Sequence, residues 1–293
     1  MAAENKIWTD IHYFAEGGES TPFLFKGHEY YLLNLSPVHE SMDKSIPEHA
    51  VIVDAESGKR IGGRIFENSY FISAYSDPRS GRVFCFASRV EKGWRSHNID
   101  LIYSEDLEHW SLPVPALENY PGLVYNTGVT FDGNRYVMLL EVRDTGKAFG
   151  VKFLESDDLI HWKMAEGAAF YNTVSYLGAG AIYYLKEDQY YYITYLDEKV
   201  EPASGTLHYY TNIARSKDLR SWERGKSPIL APDFNHEVLS HKGVFEINAS
   251  DAEFLEVNGK VISHSCGGNQ LGAHDWCRCE YNGTMHRLFS SFF

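Results

Sequence analysis

Aromatic and β-branched residues gather in short runs along this chain, and compact polar turns divide them. TPFLF, Lys26-Gly-His and EYYLLNL read as a strand, a tight turn and a returning strand, and so do YNTGVTF, Asp132-Gly-Asn and RYVMLLEV. GAGAIYYL, Lys186-Glu-Asp and QYYYITYL repeat the pattern, as do DAEFLEV, Asn258-Gly and KVISHS. A further hairpin joins YFISAY to RVFCFAS through Ser76-Asp-Pro-Arg-Ser-Gly81. Glycine and asparagine tolerate the backbone angles that two-residue hairpin loops need, so these pairs predict antiparallel hairpins. No apolar stripe of 3.6-residue period is sustained, so helix is expected to be scarce. Counting hairpin starts gives about five units, beginning near residues 21, 70, 124, 178 and 250.

A second pattern repeats on top of the first. Ser104-Glu-Asp-Leu-Glu-His-Trp110, Ser156-Asp-Asp-Leu-Ile-His-Trp162 and Ser216-Lys-Asp-Leu-Arg-Ser-Trp222 share the form S-x-D-L-x-x-W, at offsets of 52 and 60 residues. Each follows a strand-like run. Four-stranded units repeating at about this length are the blades of a β-propeller. The expectation is an all-β, five-bladed β-propeller in which residues 1–293 form a single domain. The run from Ile7 to Phe14 is free to pair with the last blade and close the ring. Within the motif, Ser and Asp side chains can bond backbone N–H groups of a turn while Trp packs between blades, so its role is read as structural.

Composition narrows the partners. The formal charge of -13 opposes nucleic acid and anionic membrane surfaces. The first fourteen residues carry neither a basic region nor an apolar one, which leads to the expectation of a cytoplasmic protein. Four cysteines (Cys85, Cys266, Cys277 and Cys279) are too few for a disulfide scaffold. His264, Cys266, His274, Cys277 and Cys279 lie close in sequence, but the C-x-C spacing suits a strand better than a zinc site. There is no G-x-G-x-x-G and no G-x-x-x-x-G-K-[ST], so no nucleotide cofactor is expected.

The S-x-D-L-x-x-W segments resemble the aspartate box of sialidases without its glycine. With the hairpins they make the whole chain similar to the five-bladed propeller glycoside hydrolases of families 43, 32, 62, 117 and 130. The resemblance implies a carbohydrate-active protein with paired carboxylates at the axis, no organic cofactor and, in some relatives, a structural calcium or other cation in the channel. Glu19, in Glu19-Ser-Thr-Pro22, looks like the counterpart of the family's catalytic base. The inner strands that start Tyr125-Asn-Thr-Gly128 and Tyr176-Leu-Gly-Ala179 lack the family's further acids, so its standard triad is not present as such.

Propeller geometry selects the other candidates. The start of a blade's first strand and the end of its second emerge at the same mouth of the channel. Glycoside hydrolysis needs one group to protonate the leaving oxygen and a carboxylate to act as base or nucleophile. Glu19, Glu141 and Asp251 are the candidates for that work. Glu141 follows the apolar Val137-Met-Leu-Leu140, where burial favours a proton-holding carboxyl. Arg89, Asn126, Glu198, Asn248 and Asn269 are the candidate substrate-binding residues. Arg89 would grip an anionic group or hydroxyl with forked hydrogen bonds, and the asparagines would bond sugar hydroxyls. Glu91 also falls at this mouth, and Trp94 and Trp276 could offer faces for a sugar ring. The leading functional expectation is a glycosidase acting on a small oligosaccharide. A glycoside phosphorylase, which would need basic residues such as Arg89 and Arg143 at the pocket, and a non-catalytic carbohydrate-binding propeller are the alternatives.

Overall fold

The computed structural model describes residues 7–35, 48–89, 95–144, 149–171, 178–202 and 204–293. Twenty strands form five four-stranded sheets around a common axis. Blade I holds β2 (Ser20–Phe25), β3 (His28–Leu35), β4 (His49–Asp54) and β5 (Arg60–Ile65). Blade II holds β6 (Ser69–Asp77), β7 (Arg82–Arg89), β8 (Ile99–Ser104) and β9 (Val114–Leu117). Blade III holds β10 (Leu123–Phe131), β11 (Tyr136–Arg143), β12 (Phe149–Ser156) and β13 (Lys163–Tyr171). Blade IV holds β14 (Ala179–Leu185), β15 (Tyr190–Val200), β16 (Leu207–Ser216) and β17 (Glu223–Arg224). Blade V is completed from both chain ends: β18 (Ser250–Val257), β19 (Lys260–Cys266) and β20 (Trp276–Asn282) accept β1 (Thr9–Phe14) as their outermost strand. That pairing sets Phe14 opposite Trp276 and Thr9 opposite Glu280, and it closes the ring. Among the described residues, helix is confined to α1 (Met285–Ser290), capped by Thr284, whose side chain accepts from the Arg287 N–H.

Alternation along each strand sends side chains to both faces of a blade, so each seam between blades acquires its own core. Phe23, Leu32 and Ile52 meet Ile72, Val83 and Cys85 between blades I and II. Phe84 and Phe86 meet Val124, Met138 and Leu154 between II and III. Val137, Phe153 and Phe170 meet Ile182, Ile193 and Ala214 between III and IV. Tyr192 and Ile213 meet Phe254, Val261 and Phe289 between IV and V. Leu33, Val51 and Val53 meet Trp276 where blade V returns to blade I. Trp276 is therefore a core residue and does not offer a sugar platform. Its ring stacks on Phe14, with centroids 4.1 Å apart.

The repeated S-x-D-L-x-x-W segments form turns after the third strands with the same Ser and Asp bonding pattern, although Trp222 Nε1 donates to the Ala169 carbonyl where Trp110 and Trp162 donate within their own turns. In blade III the Ser156 hydroxyl accepts from the N–H of Asp158 and of Leu159, and Asp158 Oδ1 accepts from Ile160 and His161 N–H at 2.9 and 2.8 Å. Trp162 Nε1 donates to the Leu159 carbonyl, and its ring meets Phe86 of blade II edge-on. Leu107, Leu159 and Leu219 all adopt positive φ (68°, 67° and 62°), unusual for a branched residue, and all three side chains are buried in the seams. Burial of the leucine offsets the strain.

Near the axis the inner strands need small residues. A Cβ on Gly128 would stand 3.2 Å from the Ala181 backbone, and one on Gly180 would stand 2.5 Å from Thr194 Oγ1. Four of the five inner strands also carry a register irregularity close to their start: between Tyr70 and Ser73, Val124 and Thr127, Ala179 and Ile182, and Ser250 and Glu253. Such bulges re-aim side chains, here at one mouth of the channel.

Candidate active site

Inner strands start at this mouth, second strands end there and third strands start there again. Glu19 precedes β2, Asn126 lies on β10 and Asp251 is the second residue of β18. These three, with Asn34, Ser73, Thr127, Gly180 and Glu253, line one narrow cavity on the axis, with a volume of about 10 Å³, near the size of one water. Asp251 has φ +50° at the blade V bulge, so strained backbone aims this carboxylate. Behind it, Asn248 and Gln270 side-chain N–H groups donate to the Ser250 hydroxyl at 3.0 and 3.1 Å, and that hydroxyl donates to Asp251 Oδ2.

The electrostatics follow from crowding. Burial first, then the charges of Asp251, Glu48, Glu141 and Glu253, push the Glu19 carboxyl well above the usual carboxylate range. Burial raises Asp251 to about 6, with the Ser250 hydroxyl bond pulling the other way. Burial raises Glu253 to about 8, although Thr21 Oγ1 donates to its Oε1 at 2.8 Å. Like charges that share a desolvated site cannot all ionise, so Glu19 and Asp251 titrate as a pair.

Glu141 is buried and accepts from the Asn126 side chain at 3.1 Å, so these two candidates meet. Four others are engaged elsewhere or stand off the axial cavity. Arg89 is forked onto Asp100, with Nε donating to Oδ2 at 2.7 Å and a second nitrogen to Oδ1, so its cation is committed within blade II. Asn248 is fully buried, donates to Ser250 and to the Cys266 and Gly267 carbonyls, and accepts from Gln270. It positions Asp251 indirectly and has no capacity left for a sugar. Asn269 Oδ1 accepts from the Leu271 and Ala273 N–H groups of its own loop, where it closes a turn. Glu198 pairs with Tyr209 on an extension of β15 beyond the inner strand and does not line the axial cavity. Glu91, Trp94 and Tyr176 lie outside the described residues.

Glu48, Glu253 and Gln270 are neighbours of the candidate acids that sequence reasoning did not single out. Glu48 immediately precedes β4, and third strands also begin at this mouth, a signal that was available. Glu253 lies deeper in the inner strand. Among the described residues, no group of three His, Cys, Asp or Glu side chains could hold a metal ion. His264 bonds Ser20 Oγ through Nδ1 at 2.8 Å, and burial lowers its pKa to about 3, so it is neutral.

No family model matches the chain, and no curated protein matches it. Solved structures do. The α-L-arabinofuranosidase PaAbf62A from Podospora anserina, in complex with cellotriose, is 11% identical with a TM-score of 0.63, over 92% of each chain. The α-L-arabinofuranosidase Arb93A from Fusarium graminearum, with an iminosugar inhibitor, is 14% identical with a TM-score of 0.63, over 94% of this chain and 98% of that one. An N-acetylgalactosamine deacetylase from F. plautii, in complex with blood group B trisaccharide, is 10% identical with a TM-score of 0.61, over 96% and 92%. At such identities the likeness concerns the fold, which a deacetylase shares with glycosidases. The chain has the five-bladed propeller of the carbohydrate-active enzymes it resembles.

Proposed function

We propose that this protein is a glycoside hydrolase whose reacting groups are Glu19 and Asp251 at the axial mouth. The observation that carries this reading is that both carboxylates line one cavity, where burial raises each of them and the charge of Asp251 raises Glu19 further. Glu19, cast as the base by the family resemblance, is instead the group that holds the proton, because its carboxyl is raised furthest from the usual range, and it donates that proton to the leaving glycosidic oxygen. Asp251 is the carboxylate that acts as base or nucleophile. Asn126 holds the buried Glu141 carboxyl through its side-chain N–H. The cavity takes about one water, so the sugar ring sits on the mouth and only the reacting bond approaches the acids.

The residues lining the cavity also weigh against a phosphorylase. None of the described ones is basic and Arg89 is tied to Asp100, which leaves that reading with Arg143, beside Tyr125 and outside the cavity lining. Screening aryl glycosides and plant or algal oligosaccharides tests the proposal. Turnover is expected for at least one sugar, without phosphate, and Glu19→Gln or Asp251→Asn should reduce kcat by about 10²–10⁴-fold. Sugar binding without turnover by the wild type would favour the non-catalytic alternative.

A further inference from the structure

Blade IV is built out at the same mouth. β15 and β16 run past the start of their inner strand: Ala179 pairs with Tyr195, yet the β15–β16 ladder continues to Val200 and Leu207. Lys199 therefore stands about 13 Å beyond the Ala179–Tyr195 pair, at roughly 3.3 Å per residue. The connection from blade IV to blade V is long, running from Gly225 to Ala249, whereas the connection from blade I to blade II is only Phe66 to Asn68. It is held down by backbone bonds from Thr211 to Leu230 and from Tyr209 to Ile247. Long connections on a rigid scaffold commonly carry binding residues.

Between this extension, the connection and β1 lies a groove of about 550 Å³, within the ~300–1,000 Å³ range of small-ligand sites. Tyr13, His208, Tyr210 and Phe234 bring rings to it, and Lys199 and Asn235 bring donors. Tyr13 stacks on His236, with centroids 3.5 Å apart, so its ring is held in one orientation. Phe234 packs against His208 at 4.6 Å yet remains 36% exposed, and Ile11 beside it is 46% exposed. Lys199 sits 4.7 Å over the Tyr210 ring and is balanced by Glu201 and Asp233, so the groove is not a net-positive anion site. Ring faces edged with donors and acceptors of both signs match a neutral, polyhydroxylated ring ligand.

We propose that this groove is a carbohydrate subsite holding the distal units of a neutral oligosaccharide whose other end lies over the axial cavity. The word distal rests on the hydrolase reading above, but binding in the groove does not. Because Lys199 stands about 13 Å beyond the start of the inner strand, an oligosaccharide of several units, and not a disaccharide, engages both places.

The test is calorimetric titration of arabino- and cello-oligosaccharides of two to six units into wild type, Phe234→Ala and Asp251→Asn. Longer members should bind wild type and Asp251→Asn, and Phe234→Ala should weaken them at least tenfold while leaving aryl-glycoside turnover unchanged. Equal affinity of wild type and Phe234→Ala for every probe, or no binding of any probe to wild type, would overturn the subsite. So would a self-association that Phe234→Ala abolishes and no sugar perturbs. If Phe234→Ala lowers the melting temperature, the exposed Asn235→Ala variant takes its place with the same expectation. Groove binding without any turnover would sink the hydrolase reading alone. Turnover with a length-independent KM in both Phe234→Ala and wild type would sink the subsite alone.

Discussion

Carboxylates do opposite jobs at the two ends of a blade. In the S-x-D-L-x-x-W turns, Asp106 and Asp218 accept from backbone N–H groups, those of His109 and Ser221 foremost, which hold both below the ordinary carboxylate range. Asp158 is lowered too, although its partial burial works the other way. At the axial mouth, Glu19, Asp251 and Glu253 have lost water and face one another, and all three are raised. A satisfied, solvated carboxylate fastens a turn, whereas a desolvated and crowded one is left with a proton to give. The same residue type becomes structural or chemical according to what surrounds it.

The contrast is most open to attack through pH. A buried carboxyl with a raised pKa binds its proton more tightly folded than unfolded. Stability is therefore fully present below the unfolded value and is lost as pH rises towards the folded one. Glu253, together with Glu246 buried in the connection from blade IV to blade V, is raised to about 8 and places this loss between roughly pH 4.5 and 8. The turn aspartates have the opposite sign: their stabilisation is present above the unfolded value near 3.8 and disappears as pH falls below it. Chemical denaturation should give a maximum near pH 4.5–5 and a decline on the order of a few kcal/mol by pH 8, and Glu253→Gln should flatten that decline. Stability that rose between pH 5 and 8 would break the comparison.

Smaller effects sharpen it. Asp158→Ala removes the acceptor for two backbone N–H groups and should cost about 1–2 kcal/mol in denaturant melts, with activity per folded molecule unchanged. At the other end, Ser250→Ala removes a bond that lowers Asp251, so the acidic limb of kcat/KM should move above pH 6 while the melting temperature shifts little. Asn269→Ala should change KM least of all, because that side chain closes its own loop.

Much of this architecture was legible in the chain. Turn glycines and asparagines marked the hairpins, and the repeated Ser, Asp, Leu and Trp fixed the spacing of blades II to IV. Glu19, Asn126 and Asp251 could be placed because a strand's start and end decide its mouth. The failures share a cause. Position along a strand says nothing about the partner across the ladder, so the Asp100 that holds Arg89 was invisible. Nor does it reveal bulges, which set the face a residue presents near the mouth, or the β15 extension that carries Glu198 past the ring. Asn248 was placed at the right mouth, but its packing beneath Ser250 depends on the Gly267–Gln270 loop, which is distant in sequence.

The most direct test is a ¹³C-carboxyl NMR titration of the wild type and of Asp251→Asn. In wild type, Glu19 should remain protonated at pH 7 while Asp251 ionises near pH 6 and the turn aspartates ionise below 3.8, and Asp251→Asn should lower the Glu19 midpoint. If Glu19 and Asp251 both ionise below pH 5, and neither responds to loss of the other, the axial pair is not coupled and the account fails.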